Sequence, residues 1–152
     1  MELIIIFIIV AFLIGTVSLA VPSKSSRNIA SLRMEASRLG FKVSSSRYGN
    51  LSFKNKDFSL MSYQIKNTSN LKDAHFIRDK DDLILYSPLK LKYSNEYEGV
   101  NDKLKKISFC IHEVIFSNSS IAFLWTEKEG LDELKKILSV LESFEVYLVN
   151  SN

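Results

Sequence analysis

The chain has 152 residues, 46% of them hydrophobic, with 20 Lys and Arg against 17 Asp and Glu and a single cysteine. That length holds one domain beside an N-terminal apolar segment. One thiol, Cys110, excludes an intrachain disulfide and any metal site built on several thiolates. Charge is unevenly spread: Pro22 to Lys56 carries eight basic residues against one acid, Glu35, whereas Asp57 to the end carries twelve basic and fifteen acidic residues. The basic collar beside the apolar run points to a membrane surface. It lacks the interleaved aromatics of a nucleic-acid-binding face, so no nucleic-acid partner is expected.

The run LIIIFIIVAFLIGTVSLAV, Leu3 to Val21, is nineteen residues without a charge. As a helix it would extend about 28 Å, close to the roughly 30 Å of bilayer hydrocarbon. Signal-peptide cores are shorter, about 7–15 residues, and follow a positive segment; here only Met1-Glu2 precedes the run. Ser18-Leu19-Ala20 does fit the small-x-small cleavage rule, and it sustains the competing expectation of an exported periplasmic binding domain released after Ala20. Against cleavage stand Lys24, Arg27, Arg33 and Arg38, placed where positive charge retains a flank in the cytoplasm. The expectation is therefore an uncleaved, single-pass transmembrane anchor over residues 1–22, N-terminus out. The remainder, 23–152, is expected as one cytoplasmic α+β domain.

Pro22 ends the span, and Ser23, Ser25 and Ser26 are N-cap candidates for a juxtamembrane helix over 24–39 stopped by Gly40. Ile29, Leu32, Ala36 and Leu39 share one face of it. Its basic residues, Lys24, Arg27, Arg33 and Arg38, are the candidate membrane-surface residues, each contributing about 1 kcal/mol beside anionic headgroups.

Beyond Gly40 the period turns strand-like. Phe41 to Tyr48 and Leu51 to Phe53 flank Gly49-Asn50, a two-residue hairpin signal. Asn55-Lys56-Asp57 is a second turn, Phe58 to Ile65 a strand, and Lys66 to Asp73 a polar loop. His75 to Ile77 and Leu83 to Tyr86 form a hairpin around Arg78–Asp82, and Ser87 to Asp102 reads as a long connection. Ile107 to Phe116 and Ile121 to Trp125 are strands joined by Ser117–Ser120. Thr126 and Glu129 have the spacing of a capping box. The helix after them carries Leu131, Leu134, Ile137, Leu138, Leu141 and Phe144 on one stripe. Val146 to Val149 reads as a short final strand or tail. The whole is α+β: about five to seven mostly antiparallel strands with both domain helices on one face or at the ends of the sheet.

Chemical motifs are sparse. Five glycines are scattered singly, with no phosphate-binding loop. Cys110-x-His112 lacks an orienting third group, for which only His75 or a nearby acid is available, and is read as a core cysteine beside a histidine. Asp79, Asp81 and Asp82 enclose Lys80 and read as a solvated turn. No catalytic residue, metal, cofactor or small-molecule substrate is expected. Trp125, the single tryptophan, is expected in the core, with a partner contact as its other candidate role.

The charge-free N-terminal run, then PSKSSRNIASLRMEASRLGFKV (Pro22 to Val43) and IAFLWTEKEGLDELKKILSVLESF (Ile121 to Phe144), resemble small uncharacterised single-pass inner-membrane proteins of gammaproteobacteria. Some of that group are labelled accessory subunits of the preprotein translocase, although this chain lacks the glycine-rich Gly-Asp/Gly-Gly stretch of the translocase subunit. The resemblance covers roughly a third of the chain by pattern. It implies an inner-membrane location and other membrane-protein subunits as partners, and it carries over no catalytic residue.

Overall fold

The residues from Glu2 to Ala20 contain no proline, so no backbone amide is missing from a helix. In the computed structural model they do form one: α1 runs Glu2–Ala20, with the apolar side chains from Leu3 to Ile14 exposed all around its axis. The structure describes residues 2–20, 23–45, 53–95, 97–107 and 109–144. Among these, no helix is long and apolar enough to cross a membrane. The side chains described along α1 reach from Leu3 to Thr16, about 21 Å at 1.5 Å per residue against about 30 Å of hydrocarbon. The chain divides into two compact units, Met1–Ser31 and Leu32–Asn152.

The second helix, α2, spans Lys24–Arg38. Ser23 is its cap: the Ser23 hydroxyl accepts the Ser26 amide at 3.1 Å. At the other end Gly40 has φ +89°, the Phe41 amide reaches the Ala36 carbonyl at 2.9 Å, and the Gly40 amide reaches Ser37 at 3.1 Å. This is a Schellman closure, and it hands Phe41 to the core beside Ala36. Of the expected stripe, Leu32 and Ala36 are buried and Leu39 packs against them.

Six strands follow: β1 Lys42–Ser45, β2 Met61–Lys66, β3 Ala74–Asp79, β4 Asp82–Ser87, β5 Ile111–Phe116 and β6 Ser120–Trp125. They form one antiparallel sheet in the order β1-β2-β6-β5-β3-β4. Between β4 and β5 lie a 3-10 turn, Leu89–Tyr93, and a helix, α3 Tyr97–Leu104. The last helix, α4, is Gly130–Glu142. The fold is α+β with four helices and a six-stranded antiparallel sheet.

One sheet face carries Tyr63, Phe76, Val114, Phe116, Phe123 and Trp125. Leu32 and Ala36 of α2, Leu104 of α3, and Leu134, Ile137 and Leu141 of α4 pack on it. The tryptophan is fully buried against Tyr63, ring centroids 5.3 Å apart. Its core role is thereby met, and the surface contact is corrected: no face of the ring is left for a partner. The other face carries a smaller cluster, Phe53, Leu60, Ala122, Leu124 and Ile115. Because both faces are covered, all six residues of β6 are buried.

Several boundaries differ from expectation. β1 pairs with β2; the rest of the expected hairpin, residues 46–52 with Gly49-Asn50, lies outside the described residues, as do Val146 to Val149. Phe53 is buried without being in a strand, and β2 starts at Met61, leaving Phe58 exposed. The expected connection at 87–102 contains α3, whose Tyr97, Val100 and Leu104 do fall at helical spacing. Gly99 and Asn101 weaken its propensity, so packing decides. β5 begins at Ile111, which leaves Cys110 in a turn, buried in the main core. The capping box is not used: α4 starts after Glu129 with no side-chain cap. Its other end is served by Lys103, whose Nζ donates to the Ser143 carbonyl and lies 5.0 Å from the Phe144 ring.

Gly40 is held in left-handed backbone, while a Cβ built there meets nothing within 4 Å. Gly40→Ala is therefore expected to cost about 1–2 kcal/mol through backbone strain alone. Urea denaturation reads this directly, and a variant as stable as the parent would contradict the closure described.

Candidate functional site

Among the described residues two glutamates are buried, Glu113 and Glu127, one serving each face of the sheet. Neither stands out in the sequence, and each joins segments distant along the chain.

Glu113 is fully buried in β5. Strand pairing sets it opposite Leu124, while Ile111 stands opposite Trp125, so His112 is the extra residue of a β-bulge. The bulge lets Ile111 and Val114 both face the helical core while Glu113 points to the other face. There its Oε1 accepts His75 Nε2 at 2.5 Å and the Lys54 amide at 2.7 Å, and its Oε2 accepts the Asn55 amide at 2.9 Å. Burial pushes this carboxyl up, but the hydrogen bonds from His75, Asn55 and Lys54 outweigh it and leave the group below the ordinary carboxylate range. His75 in turn packs edge-on against Tyr86, ring centroids 5.2 Å apart, and Lys54 Nζ lies 5.2 Å from the Tyr86 ring centroid.

A buried carboxylate orienting an imidazole is the outer half of many acid–base sites. Here the carboxylate is saturated by three donors, two of them from the segment crossing this face. Asx-type bonds then turn that segment, Asp57 amide to Asn55 Oδ1 at 3.0 Å and Ser59 amide to Asp57 Oδ1 at 2.9 Å. The arrangement is that of a clamp. Among the described residues, clefts of about 840 Å³ beside Tyr93 and Tyr97 and about 190 Å³ between Ile65 and Leu138 are lined by other residues.

Glu127 serves the helical face. It sits between β6 and α4 with φ +59°, a left-handed conformation that a side chain adopts only when its contacts hold it there. Arg33 of α2 grips it bidentately, Nε to Oε1 at 2.8 Å and Nη2 to Oε2 at 2.7 Å. Tyr63 donates its hydroxyl to Oε1 at 2.7 Å. Desolvation first, then Glu127, pushes the Tyr63 phenol well above its ordinary value, so it stays protonated and donates. The Glu127 hydrogen bond also raises the Arg33 guanidinium, overriding its partial burial.

The four basic residues expected at a membrane surface thus separate. Arg33 is bound to a side chain only 5% exposed. Arg38 pairs with Glu35 at 2.6 Å on the helix surface. Lys24 and Arg27 are exposed near the start of α2. Sequence reasoning missed Glu113 and Glu127. The available signal was a charge inside the apolar stretch ISFCIHEVIF, since a carboxylate there must be paired. His112 is half-buried, and burial first and Arg78 second hold its pKa down. With Cys110 in the preceding turn, the two do not share a strand.

No protein-family model, curated protein or solved structure matches the chain.

Glu113 has a depressed folded-state pKa, so its stabilisation is complete above the unfolded value near 4.3 and is lost as pH falls through the folded value. Glu113→Gln is expected to cost about 2–3 kcal/mol at neutral pH, with the gap to the parent closing in acid. A gap that stays constant down to about pH 3 would remove the ionised clamp. On the helical face, Arg33→Met leaves a buried carboxylate short of its cation and is expected to cost about 3 kcal/mol. Arg38→Met should stay within about 0.5 kcal/mol, as exposed pairs do; equal losses in paired urea melts would contradict the latch.

Proposed function

We propose that this protein is a membrane-tethered, non-enzymatic accessory or interaction subunit of a bacterial inner-membrane assembly. Its sheet domain lies on the cytoplasmic side. The observation that carries the reading is α1: Leu3, Ile4, Phe7, Phe12, Leu13 and Ile14 are all exposed on a helix that is apolar all round. An aqueous setting would leave that surface uncovered, whereas lipid solvates it. The whole charge-free run, Leu3 to Val21, is long enough as a helix, about 28 Å, for the hydrocarbon layer. The basic residues after it orient the chain. The resemblance to small single-pass inner-membrane proteins points the same way, with other membrane subunits as partners.

The non-enzymatic part of the reading rests on the saturation of both buried carboxylates, which are occupied with fastening one segment to each sheet face. Ser18-Leu19-Ala20 favours the second reading, a periplasmic domain released after Ala20.

A C-terminal fusion to a reporter active only in the periplasm separates the two. The tethered cytoplasmic domain is expected to give no reporter activity and to remain with membranes after carbonate washing. Strong activity, together with a mature chain beginning at Val21 by mass spectrometry, would establish export instead.

A further inference from the structure

Of the four cations after the apolar run, two are already neutralised within the domain, Arg33 by Glu127 and Arg38 by Glu35. Lys24 and Arg27 differ. Both belong to the same compact unit as α1, and both are exposed. The first turn of α2 contains no acid, so these cations sit at the positive end of the helix dipole, the end where a helix favours anions. Among the described residues no acid pairs with either of them. The neighbouring exposed apolar helix says what kind of surface is close: a lipid one.

We infer that Lys24 and Arg27 bind the phosphate of anionic phospholipid headgroups, with Arg33 and Arg38 held out of that contact by their acids. The inference rests on the tethered reading and narrows it to one end of one helix and one lipid charge class. Each cation faces a lipid phosphate as a point charge or fork, contributing attraction that zwitterionic headgroups, whose own cation competes, do not return.

The full chain, purified in a non-ionic detergent, is titrated with phosphatidylglycerol or with phosphatidylcholine, and bound lipid is counted by native mass spectrometry. Phosphatidylglycerol is expected to bind preferentially. Lys24→Gln and Arg27→Gln should each weaken it roughly fivefold, with phosphatidylcholine binding unchanged and Arg38→Gln within twofold. Both substituted residues are exposed, so the thermal melt of each variant should match the parent's. Unaltered phosphatidylglycerol binding by the double variant overturns the inference while the tether stands. Recovery of the chain in the soluble fraction, with no lipid retained, sinks the tether and the inference together.

Discussion

A carboxylate with no solvent access decides how this sheet is closed on its second side. The three principal helical contributors, from α2, α3 and α4, cover one face. The other is covered by a stretch with no regular structure, anchored by Phe53 and Leu60. Such a stretch presents backbone amides over an apolar surface, and each unpaired one costs about 1–3 kcal/mol. Glu113 resolves the conflict by accepting two of them, from Lys54 and Asn55. His75 makes the third bond and is itself braced by Tyr86. Without this acceptor Leu124 and Ala122 would lack their cover, and the central strand β6 would be buried on one side alone. The polar group is therefore a condition of the apolar packing around it.

The bulge at His112 is the local device that makes this compatible with the core. In a regular strand, residues an odd number apart point to opposite faces. Ile111 and Val114 are three apart and yet both belong to the helical core. One inserted residue restores the agreement, and it leaves Glu113 between them on the other side. His112 bears the consequence, half-buried and near both Asp57 and Arg78. Arg78 contributes at the same place, its Nε donating to the Ile111 carbonyl at 2.9 Å.

The helices were legible in the sequence because their signals are local. Ser23, Gly40 and the spacing of Leu32 and Ala36 define α2, and the stripe from Leu131 to Phe144 defines α4. The hairpin of β3 and β4 was legible for the same reason, with Lys80 at φ +52° in its turn. What escaped was set by distant partners. α3 is short and carries weak helix formers, so Val100 and Leu104 hold it through the core. The pairing of β1 with β2 spans residues 46–60 and has no signature in either strand. Glu127 lies between the two members of the expected capping box, Thr126 and Glu129, and what takes its carboxylate is Arg33, 94 positions away.

That outcome bears on how a tether would load the domain. Any pull along the chain from α1 enters through α2, whose grip on the sheet consists of Leu32, Ala36 and the Arg33–Glu127 pair. Two small-to-medium apolar side chains make a modest seat, and sliding an apolar stripe meets no directional resistance. A bidentate guanidinium–carboxylate contact is directional, and Tyr63 fixes the carboxylate from the sheet itself. Placing one charge pair under the helix nearest the apolar run therefore gives register as well as adhesion. The same contact secures Glu127 in its left-handed backbone, φ +59°, at the turn into α4.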